Sequence, residues 1–256
     1  MKLFEPKFLT ELLQLLEERE NYSIFRGQSP QDRLLNSTLA RELRGETMKL
    51  PRNYIPKEPP LKYWTPHNLH QYHQIILGTV EPHEDVAKPL NGRGDPIYEI
   101  IRYVQQNPKQ EKIKNSIPNL PTPTLEFSES TMIALYFSTY KPDCNGAIFC
   151  LEKNIALTFF SFSEALMAIK TNNDITPCII DPLHKLNDLD DQKPKRQKAV
   201  YIFHRDLRHP IDHYLFLEKI IISQSLNSEI RSFLQELGIN EEYVYDQKRI
   251  RPRSSN

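Results

Sequence analysis

Glycine is scarce in this chain of 256 residues, where seven glycines stand against 20 prolines. Most turns must be made by fixing φ at about −65°, and sites of positive φ or close backbone approach must be few. Each glycine therefore carries information. Cysteine is scarcer still: Cys144, Cys150 and Cys178 suit neither a disulfide framework nor a paired CxxC zinc site, and a reducing, cytoplasmic compartment is the expectation. An excess of one charge is also missing. Lys and Arg number 33, as do Asp and Glu, so no global field recruits a polyanion and a charged partner must meet a local patch. No apolar run approaches the roughly 20 residues of a membrane span, and Glu5, Lys7 and Glu11 interrupt the N-terminal segment before it can act as a signal peptide. No membrane partner is expected. Neither GxGxxG nor GxxxxGK[ST] occurs, so a Rossmann or P-loop nucleotide site has no support.

What the chain does contain is short apolar stretches of alternating character. Phe8, Leu9, Leu12, Leu13, Leu15 and Leu16 recur at helical spacing and predict an amphipathic helix over 6–20, with Pro6 as its first residue. Strands are expected at 21–27, 146–151, 178–180, 199–204, 214–222 and 242–245, with 199–204 and 214–222 as an antiparallel pair. Helices are expected at 34–43, 67–78, 96–106, 131–139, 161–170 and 226–237, the last stopped by Gly238. Short strands mixed irregularly with helices predict an α+β fold, not a wound βαβ sheet. The expected organisation is an N-terminal helix (1–20), one domain (21–247) and a basic tail (248–256) containing Lys248, Arg249, Arg251 and Arg253.

Two segments carry candidate chemistry. In Tyr22-Ser23-Ile24-Phe25-Arg26-Gly27-Gln28-Ser29, an arginine at a strand end can hold a phosphate or carboxylate in its planar fork, and Gly27 would admit a ligand to the backbone. The same arginine can equally pair with an internal carboxylate. In Thr122 to Ser130, followed by Ala134-Leu135-Tyr136-Phe137, a carboxylate and several hydroxyls run into a helix N-terminus and can orient a polar substrate. Ser128 or Ser130 can equally be a plain helix cap. His67, His70 and His73 share a spacing of three, but about 600° of helical rotation separates the first from the last, so no metal site is expected.

The phrases FRG at 25–27, LNSTLAR at 35–41 and TPTLEFSESTMIALYFS at 122–138, with Arg196-Gln197 ahead of an apolar strand, together resemble the FRG domain family over roughly residues 20–245. Glu126 stands where that family usually has Asp, and Asn115 to Leu120 lacks the Gln, His and Tyr or Gly that usually precede this phrase. More distantly, the layout is similar to ADP-ribosyltransferase folds of the arginine-serine-glutamate type. That resemblance implies a core of short strands and an NAD-consuming enzyme, either an ADP-ribosyltransferase or an NAD glycohydrolase, in a bacterial toxin or phage-defence setting. It implies Arg26 as phosphate anchor, Ser128 as pocket hydroxyl and Glu126 as the nearest acid. Gln197 stands near the late polar position and Glu218 one strand farther on. The implied dinucleotide contacts are Arg26, Gly27, Gln28, Thr124 and Tyr136. The implied partners are NAD as substrate, a protein or nucleic-acid acceptor and an antitoxin or regulator, with no metal. The alternative function is a non-catalytic module that binds a nucleotide, a phosphate or nucleic acid.

Overall fold

The computed structural model describes residues 1–37, 40–41, 124–159, 178–180, 196–204, 210–213 and 217–245. Helix α1 (Leu9–Glu20) turns Leu12 and Leu16 into the core, as the leucine spacing requires. It begins after Pro6 because Phe8 is still extended. There the Lys7 backbone N–H donates to the Glu11 carboxylate at 2.8 Å, closing the first turn from outside. Strand β1 (Lys2–Phe4), which the sequence does not announce, precedes it. The chain continues through β2 (Ser23–Gln28), β3 (Thr124–Ser128), α2 (Thr131–Ser138), β4 (Gly146–Glu152), β5 (Leu157–Phe159), β6 (Cys178–Ile180), β7 (Ala199–Phe203), β8 (Leu217–Ile222), α3 (Asn227–Glu236) and α4 (Glu241–Tyr245).

The described strands form one eight-stranded sheet in the order β1-β8-β4-β2-β3-β7-β6-β5. Only the outermost pairs, β1 with β8 and β5 with β6, are parallel. This is a mixed α+β architecture, as expected. Strand alternation splits the core in two. Phe25, Ile148, Cys150, Ile220 and Ile222 pack with α1, α2 and α3 on one face, while Ile24, Phe149, Leu151, Leu125, Phe127, Val200 and Ile202 pack with Leu35 and Ile211 on the other. Full burial of each such side chain contributes about 1.5–3 kcal/mol.

Two expectations are corrected. β7 and β8 do not pair with each other: β7 lies between β3 and β6, and β8 between β1 and β4. Every residue of β7 is buried, and so are Leu217, Ile220 and Ile222 of β8, so each strand sits inside the sheet with both edges bonded. The segment 242–245 is helical, not a strand, despite its Tyr-Val-Tyr composition. Asn240 Oδ1 accepts from the Tyr243 N–H at 2.9 Å, and Glu241 and Glu242 occupy the first turn, where carboxylates favour a helix. Gly238 does end α3, with φ +76 and the Ile239 N–H donating to the Leu234 carbonyl at 2.8 Å.

Of the helix expected at 34–43, residues 34–37 are not helical and 40–41 are helical, while 38–39 and 42–43 lie outside the described residues, as do the expected helices at 67–78, 96–106 and 161–170, His67, His70 and His73, and the basic tail.

Candidate active site

β2 bonds to β4 through six register pairs and β3 bonds to β7 through five, yet β2 and β3 meet at one pair, Phe25 with Ser128. Beyond it the two strands diverge. A cavity of about 190 Å³ fills the opening, lined by Phe25, Arg26 and Gly27 from β2, Glu126, Phe127 and Ser128 from β3, Ile133, Ala134 and Phe137 from α2, and Gln197 ahead of β7. The two motifs singled out in the sequence thus form the two lips of one cavity. Pockets that enclose a drug-sized ligand start at about 300 Å³, so this space suits one ring or one phosphate-sized group.

Register places Arg26 and Glu126 on opposite faces of the sheet. Arg26 is paired with Phe149 and so shares the Leu35 side, whereas Glu126 lies two residues from Ser128, the partner of helix-facing Phe25. The opening between the strands lets them share a cavity. Arg26 Nη1 crosses it to donate to the Glu126 main-chain carbonyl. Arg26 Nε is fully enclosed and has no hydrogen-bond partner among the described residues. The residue as a whole is half-buried, but its charged end is desolvated, and this lowers the guanidinium pKa to about 10. Glu126 opposes that shift, while Arg33 and Arg41 add to it. Arg26 is still charged at neutral pH, with an enclosed N–H unspent.

Ser128 and Gln197 reach the cavity with their polar groups already engaged. Ser128 Oγ donates to the Gln197 carbonyl at 2.5 Å and accepts from the Ser130 N–H at 2.9 Å. Gln197 is 2% exposed, and its Nε2 donates to the Val244 carbonyl at 3.0 Å, tying the start of β7 to α4. Ser130 is the cap of α2, accepting from the Ile133 N–H. Glu129 pairs with Lys153 at 2.5 Å, outside the described cavity wall.

Gly27 lines the cavity and also makes room for a helix. A Cβ there would stand 1.7 Å from the Ala134 carbonyl oxygen, so the close approach it permits is that of α2. Gly146 does the same one strand over, where a Cβ would meet the Ser138 oxygen at 1.9 Å.

Of the other expected site residues, Gln28 donates to the Arg33 carbonyl within its own turn, and Thr124 is buried at the start of β3. Tyr136 lines a second, larger cavity of about 690 Å³ with Tyr140, Asn227 and Arg231, its ring lying 4.7 Å from the Arg231 guanidinium carbon. Glu218 binds Arg19 Nε at 2.6 Å and Lys2 at 3.5 Å, two strands away from β2. None of these four belongs to the described lining around Arg26. Sequence reading missed the apolar wall of Ile133 and Phe137, whose only signal was the helix after Ser130, and the influence of Arg33 and Arg41.

No group of three or more His, Cys, Asp or Glu side chains among the described residues is arranged to hold a metal. No helix among them is long and apolar enough to cross a membrane. The chain matches no family model, no curated protein and no solved structure.

Proposed function

We propose that the cavity between β2 and β3 takes the nicotinamide ring of NAD, the rest of the dinucleotide lying outside it, and that the nicotinamide–ribose bond is cleaved at its mouth. The observation that carries this reading is the enclosed, unpartnered N–H of Arg26 at a cavity that also exposes Glu126 and an apolar wall of Phe25, Phe127, Ile133 and Phe137. The wall suits a flat heteroaromatic ring, Arg26 a phosphate or ribose oxygen, and Glu126 a centre of developing positive charge. In the reaction the C–N bond breaks and its electron pair leaves with neutral nicotinamide. Water or an acceptor hydroxyl then adds to C1′ and loses its proton. Glu126 would stabilise the oxocarbenium-like state in a site poor in water, an effect worth several kcal/mol. The same layout supports an ADP-ribosyltransferase-like core, with β2, β3 and the segment before β7 as its arginine, serine and late polar strands.

The test is nicotinamide release from NAD by the full chain. Turnover is expected for the wild type. Glu126→Gln should cut it by about 10²–10³-fold, in line with removal of one preorganised electrostatic contact, and Arg26→Lys should weaken NAD binding while circular dichroism stays unchanged. No release at saturating NAD would refute the enzymatic reading.

A non-catalytic nucleotide- or phosphate-binding module is the second reading. It is favoured by one observation: the polar groups of Ser128 and Gln197 are bonded within the fold, leaving few groups for chemistry. Stoichiometric binding of NAD without nicotinamide release would select it.

A further inference from the structure

The larger cavity, of about 690 Å³, lies where the C-terminal end of α2, the loop before β4, and α3 with its turn into α4 come together. It takes no part in the NAD chemistry, yet its size falls among those of pockets that enclose small molecules, about 300–1,000 Å³. Asn227, the first residue of α3, lines it and is 3% exposed. Its Nδ2 donates to the Lys141, Pro142 and Cys144 carbonyls at 3.4, 3.0 and 3.2 Å. These bonds hold the amide one way round, because turned over it would set its oxygen against three carbonyl oxygens. Oδ1 is left enclosed and without a hydrogen-bond partner among the described residues. A buried acceptor left unpaired costs stability that a ligand donor would return.

The described lining carries one charge of each sign, Arg231 and Glu241, so neither an anion nor a cation gains net attraction there. Arg231 is also largely spent. Its Nε and Nη2 donate to the Thr139 carbonyl at 3.1 and 2.8 Å, and Nη2 reaches the Tyr136 carbonyl at 3.5 Å. With only Nη1 uncommitted, no paired N–H groups remain to grip a carboxylate or phosphate. What the lining offers instead are the primary amides of Gln224 and Gln235, both exposed, and the Tyr140 ring, 53% exposed. An amide both donates and accepts, as a hydroxyl does, and the tyrosine ring sets an apolar face beside the amides. A sugar has the matching surface, with hydroxyl groups around its rim and C–H bonds on its face.

We propose that this cavity is a binding site for an uncharged sugar, with Asn227 Oδ1 accepting from one hydroxyl, Gln224 and Gln235 bonding others, and Tyr140 packing against the ring. The site shares no described lining residue with the cavity between β2 and β3, so it stands or falls independently of NAD cleavage.

The test is binding of the labelled full chain to an array of neutral, sialylated and sulfated oligosaccharides, followed by calorimetry with the strongest neutral member in solution. Neutral members should bind at least as well as anionic ones. Tyr140→Ala and Gln235→Ala, both at exposed positions where the fold is not at stake, should each weaken the neutral ligand about tenfold. Glu241→Lys, which leaves two positive charges on the lining, should shift preference toward sulfated members. The proposal is overturned if no neutral member binds, if the wild type prefers anionic members, or if either alanine variant, shown to be folded by circular dichroism, keeps full affinity. A Glu241→Lys protein with the wild-type preference would overturn it too.

Discussion

Phe25, Arg26 and Gly27 are consecutive, yet each answers to a different neighbour. Phe25 is fully buried in the cluster shared with α1 and α2, Arg26 spans the gap to β3, and Gly27 makes room for the Ala134 carbonyl. Only the middle residue keeps a polar group unspent. Desolvation holds its guanidinium at about 10, below an ordinary arginine, with a consequence for pH. Affinity for ADP-ribose should be flat across neutral pH and fall as pH rises through about 10, where Arg26 gives up its proton. A normal guanidinium would keep its charge well beyond that pH. Titrations at increasing pH check this, and affinity that persists to about pH 11 would show that Arg26 is not the desolvated anchor. The same residue scale explains the cysteines: Cys150 is buried and its thiol is pushed up to about 12, so it behaves as a core residue and not as a nucleophile.

At the scale of elements, α2 determines the cavity. Its sequence is buried almost all round, Ser130 caps it, and its backbone rests directly on β2 and β4 because both strands present a glycine there. One side of the helix walls the Arg26 cavity, and the residues around its C-terminus line the larger one. Gly27→Ala should therefore be costly beyond its one added methyl. The nearest atoms, the Ala134 carbonyl group and the Ser138 nitrogen, are backbone and cannot rotate away, so a loss of about 1–3 kcal/mol or more is expected. Gly238→Ala meets nothing within 4 Å but must hold φ +76, and its loss should be about 1 kcal/mol. Urea midpoints of the two variants test the order; a Gly27→Ala protein as stable as wild type would contradict the close docking of α2. The strand pairing shows the limit of local reading at this scale. Residues 199–204 and 214–222 have the composition of strands and are near neighbours in sequence, but partner choice depends on which edges the rest of the sheet leaves open.

Across the whole molecule, Glu218 stands apart from the cavity, on β8 two strands from β2. It holds Arg19, a side chain 8% exposed, and so locks α1 to β8 beside the parallel pairing of β1 with β8. Glu218→Gln should lower stability by about 1.5–3 kcal/mol, the worth of a hydrogen bond to a charged group. Nicotinamide release per folded molecule should stay unchanged. Lost turnover in a fully folded Glu218→Gln protein would move the catalytic acid to β8 and away from Glu126. The sequence by itself determined the α+β class, the helix at the N-terminus, the stop at Gly238 and the two motif segments, because spacing, capping and positive φ are local properties. Only the tertiary structure decided that β2 and β3 part after a single pair, that Ser128 bonds to Gln197 and Gln197 to Val244, and that Gly27 makes room for a helix. Those outcomes depend on contacts between residues far apart in the chain, such as Arg26 with Glu126, 100 positions on, and no local pattern encodes which distant edge a strand will find.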